Sequence, residues 1–228
     1  MILNVIATGS SGNSYLLRND KECLIIEMGM PFIEVKKTLD FNIMPIVGGI
    51  CSHKHGDHFK YYAEYEKAGI KTYKPWIDQG LAWVQYGGFK IQEFMLPHGD
   101  TSSHGFYIKH EEIGQLLFLT DFEYSKHDFS KLNVEHILIE CNYDLQYIDV
   151  DAPNFKHKVQ GHCSLDTCKE FVKHNNSPHL RTVCLIHSNP TTLDETDAIR
   201  QIKDIVDDDV NVSLAEPGLE IKINKEGW

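Results

Sequence analysis

Residues 52–58 read Ser-His-Lys-His-Gly-Asp-His, and this stretch decides the fold. Its three imidazoles and one carboxylate cannot all share one face of a helix, and they do not all alternate along one strand. A loop that wraps around metal explains the spacing, because imidazole and carboxylate are common metal ligands. The apolar run at residues 46–51 is typical of a buried strand. We therefore expect the loop at the C-terminal end of that strand, where open α/β sheets bind their ligands.

Three more candidate ligands follow apolar runs further along the chain. They end the stretches Leu-Pro-His (96–98), Gln-Leu-Leu-Phe-Leu-Thr-Asp (115–121) and Thr-Val-Cys-Leu-Ile-His (182–187). The order of the motif at 52–58 and these three later residues resembles the ligand pattern of the metallo-β-lactamase superfamily. The resemblance implies an α/β fold, the four-layer αββα sandwich, formed as a single domain by residues 1–228.

The N-terminal residues are similar to one branch of that superfamily. A strand predicted at residues 3–7 is followed by Gly-Ser-Ser-Gly-Asn-Ser at 9–14 and by a second strand at 15–17. Glycine permits the tight turn and lets the backbone approach the site closely. This form resembles the phosphodiesterase branch, which includes RNase Z and WalJ-like proteins.

The resemblance implies a site for two metal ions. One ion would be held by His53, His55 and His98, the other by Asp57, His58 and His187, with Asp121 bridging the two. We also predict a catalytic role for Asp57. A ligand set without thiolate suits Zn²⁺, with Mn²⁺ or iron as alternatives. Two such ions about 3.5 Å apart would hold a hydroxide that attacks phosphorus.

A second pair of residues resembles the acid–base pair of RNase Z. Glu140 ends the apolar run Ile-Leu-Ile-Glu, and His162 lies in Gly-His-Cys-Ser-Leu at residues 161–165. We predict that His162 is the general acid and that Glu140 orients it and raises its pKa. A purely structural His162 remains the alternative. Ser164 is a candidate substrate contact and equally a candidate N-cap of the following helix.

Composition and spacing favour a small substrate. The net charge is −11, and Lys36-Lys37 is the only basic cluster, whereas proteins that track long nucleic acids usually carry a basic face. Too few residues separate His98 from Asp121 for the tRNA-gripping arm of RNase Z. Nor is there space before His187 for the inserted domain of the mRNA-processing and DNA-repair nucleases.

The closest resemblance is to the phage anti-Pycsar cyclic nucleotide phosphodiesterases. It is carried by the short core, by Glu-Cys-Asn-Tyr-Asp at residues 140–144 and by the Gly-His-Cys-Ser-Leu stretch. It implies hydrolysis of 3′,5′-cyclic mononucleotides (cCMP, cUMP, cAMP or cGMP), which would counteract antiphage signalling, and it implies a homodimer. Tyr143 and Tyr147 are candidates for stacking on the base, or they simply pack their loop.

Three other functions stay open. The nearest is a WalJ-like or RNase Z-like nuclease acting on DNA or RNA. Thioester or lactone hydrolysis is a second, although such reactions need no pair like Glu140 and His162. A metal-retaining sensor or binding module is the third. No apolar run is long enough to span a membrane and no signal peptide is evident, so we expect a cytoplasmic protein without membrane partners.

The sequence pattern also predicts secondary structure. Helices are expected at 31–40, 57–69, 76–83, 164–174 and 192–206, and a loop is expected at 141–160. Cys23, Cys51 and Cys184 lie in apolar runs and are expected in the core rather than at a metal. Glu27 stands where the superfamily usually has Asp, and we expect it to orient the ligands with a longer reach.

Overall fold

The computed structural model describes residues 1–78, 82–99, 101–149, 151 and 159–225. The strands are β1 (Ile2–Ala7), β2 (Ser14–Arg18), β3 (Cys23–Ile26), β4 (Ile46–Ile50), β5 (Thr72–Tyr73), β6 (Val84–Tyr86), β7 (Phe89–His98), β8 (Thr101–His110), β9 (Gly114–Leu119), β10 (His136–Glu140), β11 (Thr182–Ile186), β12 (Asn211–Leu214) and β13 (Glu220–Lys222). The helices are α1 (Phe32–Thr38), α2 (Gly56–Phe59), α3 (Tyr62–Lys67), α4 (Leu165–Asn175) and α5 (Glu195–Lys203), with a 3₁₀ turn at Leu145–Tyr147.

The strands form two mixed sheets. One sheet has the order β13-β1-β2-β3-β4-β5 and the other has the order β12-β11-β10-β9-β8-β7-β6. The strands β3, β4 and β5 are parallel in the first sheet, and β9 to β12 are parallel in the second. Parallel strands are normally covered on both faces. Each sheet therefore needs helices on the face that does not meet the other sheet.

Three hydrophobic cores fill the spaces between four layers. The central core lies between the two sheets. An outer core packs Ile25 of the first sheet with Val35 of α1. The other outer core packs Leu119 of the second sheet with Phe171 of α4 and Ile202 of α5. The layers are thus helix, sheet, sheet and helix, which confirms the predicted αββα fold.

The apolar runs of the sequence are strands buried on both faces. In β9, Leu116 and Phe118 face the central core, whereas Leu117 and Leu119 face the helices. All residues of β10 and β11 are buried. Strands covered on both faces show no polar alternation. This burial explains why these runs are continuously apolar in the sequence.

One edge of the sandwich collects the candidate site residues. Because β8 is antiparallel to both β7 and β9, β7 and β9 run in the same direction, as do β10 and β11. Their C-terminal ends carry or precede His98, Asp121, Glu140 and His187. The loop after β4 reaches this edge from the other sheet, where Ser52 O accepts a hydrogen bond of 3.1 Å from His104 N.

The predicted helix at 57–69 is broken into α2 and α3. Tyr61 leaves the helical conformation, with φ −106° and ψ 8°. The carbonyl groups of Asp57 and His58 accept hydrogen bonds from Asn13 N and Met28 N, at 2.7 Å each. These bonds to the first sheet replace those that would continue the helix and hold the ligand loop in place.

The prediction of a helix at 76–83 is wrong for those of its residues that the structure describes. Residues 75–78 form a turn in which the Asp78 carboxylate accepts a hydrogen bond from Lys74 N. Residues 79–81 lie outside the described residues. The predicted helices at 31–40 and 192–206 are present but shorter, as α1 and α5. No helix in the described part of the chain is both long enough and apolar enough to cross a membrane.

Candidate metal centre

The first group of candidate ligands combines the motif loop with two strand ends of the second sheet. His98 Nε2 lies 3.1 Å from His55 Nδ1 and 3.5 Å from Asp121 Oδ2. His53 Nε2 lies 3.6 Å from the same carboxylate oxygen. The four side chains converge closely enough to hold one cation.

The second group shares Asp121 through its other oxygen. Asp121 Oδ1 lies 3.2 Å from His58 Nε2 and 3.4 Å from His187 Nε2. Asp57 Oδ2 completes this group, at 3.2 Å from His58 Nε2 and 3.4 Å from His187 Nε2. The Asp121 carboxylate therefore faces one group with each oxygen, as a bridging ligand must.

Both groups fit divalent cations. Ligands bound tetrahedrally to Zn²⁺ at about 2.0–2.1 Å are separated from one another by roughly 3.3–3.4 Å. The carboxylate–imidazole separations of 3.2–3.6 Å match this edge length. His53 Nε2 is buried and has no hydrogen-bond partner among the described residues, an arrangement that a bound cation would satisfy. The clusters suit a dinuclear site.

Hydrogen bonds to the other ring nitrogens orient the ligands. Ser52 Oγ lies 2.9 Å from His53 Nδ1, and His98 Nδ1 lies 2.6 Å from the carbonyl oxygen of Gly161. In both rings this leaves Nε2 toward the cluster. Partners of this kind fix the tautomer and the ring orientation of metal-binding histidines.

Glu27 lies under His58 and is fully buried. Its carboxylate accepts hydrogen bonds from Ser52 N at 3.1 Å and from Cys51 Sγ at 3.1 Å, and it lies 3.4 Å from His58 Nδ1. This is the contact expected from its position in the sequence. Cys51 is buried in the outer core that contains α1, and its thiol donates to this carboxylate. Cys23 and Cys184 lie in the cores, as predicted.

Asn13 fastens the glycine-rich turn to the ligand loop. Its Oδ1 accepts a hydrogen bond from Gly9 N at 2.9 Å, and its Nδ2 lies 3.1 Å from His58 Nε2 and 3.4 Å from Asp57 Oδ2. Gly29 permits this approach, because a Cβ there would lie 1.7 Å from the Asp57 carbonyl oxygen. No role for the Asn13 side chain was predicted from the sequence, although its place in the Gly-Ser-Ser-Gly-Asn-Ser stretch was a signal.

Asn142 is a second residue whose role the sequence pattern does not predict. Its Nδ2 donates to the His187 carbonyl oxygen at 2.9 Å. Thr8 Oγ1 accepts a hydrogen bond of 2.9 Å from His187 N, so the ligand is held on both sides of its peptide. Asn142 belongs to the stretch at 140–144 and Thr8 precedes the glycine-rich turn, but neither local pattern indicates a contact with His187. Their role depends on contacts between distant parts of the chain.

Three side chains of the site stand on strained backbone. Glu27, Asp121 and His187 have φ values of 66°, 49° and 52°. Residues other than glycine rarely adopt this region, and each instance costs about 1–3 kcal/mol. Each follows the end of a strand, where the chain turns sharply. The surrounding hydrogen bonds compensate for the strain and hold these side chains toward the cluster.

The two groups of ligands differ in how they hold protons. Burial and neighbouring imidazoles lower the pKa of His53 and His55. Burial opposes protonation of His58 and His187 too, but Asp121 and other carboxylates outweigh it and raise both pKa values, that of His187 to about 10. Protonation of His53 and His55 therefore competes little with a cation, whereas a cation must displace protons from His58 and His187.

His162 and Glu140 meet beside the second group of ligands. Glu140 Oε1 lies 2.8 Å from His162 Nδ1 and 3.2 Å from His187 Nδ1. Its Oε2 accepts hydrogen bonds from Phe122 N at 3.1 Å and from Cys163 N at 3.3 Å. Burial lowers the pKa of His162, but Glu140 outweighs burial and raises it. This is the pairing that the sequence predicted, with His187 as an additional partner.

A cavity of about 500 Å³ opens onto the ligands. It is lined by Ser10, His55, Asp57, His98, Gly99, Thr101, Asp121, Gln160, Gly161, His162 and His187. His162 is partly exposed to it, and the ring of His162 stacks on that of His187 with centroids 5.5 Å apart. No lysine or arginine occurs among these lining residues.

The three predicted substrate contacts lie in different places. Tyr143 lines an adjoining cavity, whereas Tyr147 is 48% exposed and lines neither cavity. Ser164 is the N-cap of α4, since its Oγ accepts a hydrogen bond of 3.1 Å from Thr167 N. The alternative prediction for Ser164 is thus the one that the geometry supports. Residues 150 and 152–158 of the predicted loop lie outside the described residues.

Comparison with known proteins supports the fold and the motif. The family model described as the metallo-beta-lactamase superfamily matches residues 7–60. Exodeoxyribonuclease YycJ of Bacillus anthracis is 24% identical over 75% of this chain and 85% of its own length.

Two solved structures share the fold over almost the whole chain. The metallo-beta-lactamase fold protein YhfI of Bacillus subtilis has a TM-score of 0.67 and 15% identity, covering 96% of this chain and 98% of its own. The short form of human tRNase Z has a TM-score of 0.64 and 18% identity, covering 98% and 99%. The chain thus has the fold of the metallo-β-lactamase superfamily and the residue set of a metal-dependent hydrolase.

Proposed function

We propose that this protein is a phosphodiesterase that opens 3′,5′-cyclic mononucleotides. The observation that carries the proposal is the position of His162, paired with the buried Glu140 and exposed to the cavity that contains the ligands. Cleavage of a phosphodiester requires a proton for the departing alkoxide. A thioester or lactone hydrolase has less need for such a pair.

The hydrogen bonding of His162 suits a proton donor. Its Nδ1 is bound to Glu140, and its Nε2 makes no hydrogen bond to any residue in the described ranges. Burial lowers the pKa of the imidazole, but Glu140 outweighs burial and raises it, which favours the ring that carries a proton on Nε2. A ring bound at Nδ1 and open at Nε2 can deliver that proton to a leaving O3′ or O5′.

The chain's own residues provide the remaining functions. Asp121 and Asp57 place negative charge between the imidazoles. Glu140 contacts Nδ1 of both His162 and His187 and so fixes the orientation of the two rings. Two divalent cations held by this set would polarise the phosphate and lower the pKa of water. We propose Zn²⁺ as the native ion, with Mn²⁺ as the alternative, because the ligand atoms are imidazole nitrogens and carboxylate oxygens.

The charge and size of the cavity favour a substrate with one phosphate. About 500 Å³ is within the range of small-molecule sites and would admit a mononucleotide. None of the described residues that line it is a lysine or arginine that could bind further phosphates of a polynucleotide, and the whole chain has a net charge of −11. Removal of a cyclic nucleotide signal, as in antiphage signalling, would follow from this activity. Homodimerisation and a cytoplasmic location remain predictions from the sequence.

The comparisons favour a second candidate function. The relatives include a protein named as an exodeoxyribonuclease and one named as a tRNase Z. Both names describe hydrolysis of phosphodiester bonds in nucleic acid. A nuclease acting on DNA or RNA ends would use the same ligands and the same acid, and would differ only in how the rest of the substrate is bound.

Turnover of two kinds of substrate tests the proposal. Purified protein with Zn²⁺ or Mn²⁺ is incubated with cCMP, cUMP, cAMP and cGMP, and separately with a short single-stranded oligonucleotide. Fast ring opening with an intact oligonucleotide supports the cyclic nucleotide phosphodiesterase. Cleavage of the oligonucleotide alone makes the protein a nuclease, and hydrolysis of neither contradicts both functions.

A further inference from the structure

A second cavity adjoins the metal centre. It has a volume of about 520 Å³ and is lined by Glu123, Tyr143, Val159, Gln160 and His162. Gln160 and His162 also line the cavity that opens onto the ligands, so the two cavities are adjacent at the proposed acid. A phosphodiester at the ligands would place its leaving group beside His162 and would therefore direct that group toward the second cavity.

Hydrogen bonds from two loops fix the position of the Glu123 carboxylate beside the second cavity. Its Oε1 accepts hydrogen bonds from Gly99 N at 3.2 Å and from Gly161 N at 3.0 Å. Its own backbone N donates to Pro97 O at 2.9 Å. Glu123 thus ties the loop after the ligand His98 to the loop that carries His162. Because the Glu123 side chain is hydrogen-bonded to both loops, its orientation is defined.

The second oxygen of Glu123 is without a partner in the part of the chain that the structure describes. Oε2 makes no hydrogen bond to any described residue, and no lysine or arginine is among the described residues that line either cavity. Within the described ranges, the charge of Glu123 is therefore not paired with a lysine or arginine of either cavity. A substrate group entering this cavity meets an acceptor oxygen and a negative charge, together with the aromatic wall of the half-buried Tyr143.

We propose that Glu123 is a specificity-determining residue that admits an uncharged nucleoside to the second cavity and rejects a second phosphate. A base amino group or a ribose hydroxyl would donate to Oε2, while the base packs against Tyr143. A phosphate in the same place would bring two like charges together, which disfavours binding. This inference rests on the proposed function, and it explains how the same fold would select mononucleotides over polynucleotides.

The matched ligands 5′-AMP and adenosine 3′,5′-bisphosphate test the proposal, because they differ by one phosphate. Their dissociation constants are measured by calorimetry on the Zn²⁺-loaded protein and on its Glu123→Gln variant. Glutamine keeps an oxygen that can accept from Gly99 N and Gly161 N, so the variant removes the charge and preserves the tie. Glu216→Gln, an exposed change of the same charge, is the control for the net charge.

The wild-type protein should bind the bisphosphate at least about tenfold more weakly than AMP. Glu123→Gln should reduce that ratio about tenfold, and Glu216→Gln should leave it within about twofold; a close like charge has effects of this size. An unchanged ratio in Glu123→Gln, with metal content equal to that of the wild type, overturns the inference. Absence of phosphodiester turnover in the wild-type protein would instead contradict the proposed function, since the binding ratio is measured without catalysis.

Discussion

Glu140 Oε1 lies 3.2 Å from Nδ1 of His187, a candidate metal ligand that follows a different strand. The same oxygen lies 2.8 Å from His162, so one buried carboxylate orients both a ligand and the proposed acid. The sequence pattern indicated only the second of these contacts. A change at Glu140 should therefore affect the metal centre as well as proton transfer.

Glu140→Gln should weaken metal binding and lower turnover together. An amide carries no charge, and its NH₂ group cannot accept the hydrogen bonds that Oε2 receives from Phe122 N and Cys163 N. Loss of such a partner usually reduces metal affinity by about 10–100-fold. His162→Gln should lower turnover while metal affinity stays near that of the wild type. Competition with a chromophoric chelator measures the affinity. Equal metal affinity in the two variants would contradict the double role of Glu140.

Asp121→Ala should empty at least one metal site and abolish turnover. Asp121 faces one group of ligands with each carboxylate oxygen, so its loss removes a ligand from both. Metal content per chain, measured by plasma emission spectroscopy after dialysis, gives the stoichiometry. Asp166→Ala is the control, since that side chain is 80% exposed on α4. Full activity in Asp121→Ala would rule out the dinuclear mechanism.

Gly161→Ala should displace His98 and weaken metal binding. A Cβ at Gly161 would lie 2.5 Å from His98 Nδ1, inside van der Waals contact. Gly69 is a matched control, because it has the same φ of +84° but nothing within 4 Å of its Cβ position. Both variants carry the same backbone strain, and only Gly161→Ala collides with a ligand. Similar metal affinity in the two variants would contradict the role of the His98–Gly161 contact.

His162→Ala should retain both metal ions and reduce turnover of a cyclic nucleotide by about a hundredfold or more, the usual effect of removing a general acid. Bis-p-nitrophenyl phosphate should be affected much less, because nitrophenolate leaves without being protonated. The comparison of rates between the two substrates is the measurement. An equal loss with both substrates means that His162 has another role.

His136 should make the fold sensitive to acid. Burial in β10 lowers its pKa to about 3, against about 6.5 in an unfolded chain. The unfolded chain binds this proton first as the pH falls, so the contribution is complete above pH 6.5. As the pH falls from 6.5 toward 3, this contribution to the free energy of unfolding is lost, by up to about 1.4 kcal/mol per pH unit.

Denaturant unfolding between pH 7 and pH 5 checks this expectation. His136→Leu should reduce the slope of the free energy of unfolding against pH. The control His174→Gln, whose wild-type side chain is 61% exposed, should leave the slope unchanged. An unaltered slope in His136→Leu would show that other groups govern the acid sensitivity.

The layered fold could be predicted because its strands are local in sequence. The runs that became β9, β10 and β11 are apolar on both faces, and each is short, with a polar residue at its end or directly after it. The breaks were less predictable. The helix expected at 57–69 is interrupted because the carbonyl groups of Asp57 and His58 bond to Asn13 N and Met28 N, contacts with a distant part of the chain.

The sequence by itself determined the identity and order of the candidate ligands. Metal binding demands particular side chains at the ends of strands, and such side chains form patterns that can be recognised within a few residues. Only the tertiary structure decided how the ligands are supported and what surrounds them. The contact of Glu140 with His187 spans 47 residues, and that of Asn13 with His58 spans 45. These contacts, and the carboxylate of Glu123 in the second cavity, exist only because folding brings the ends of separate strands to one edge.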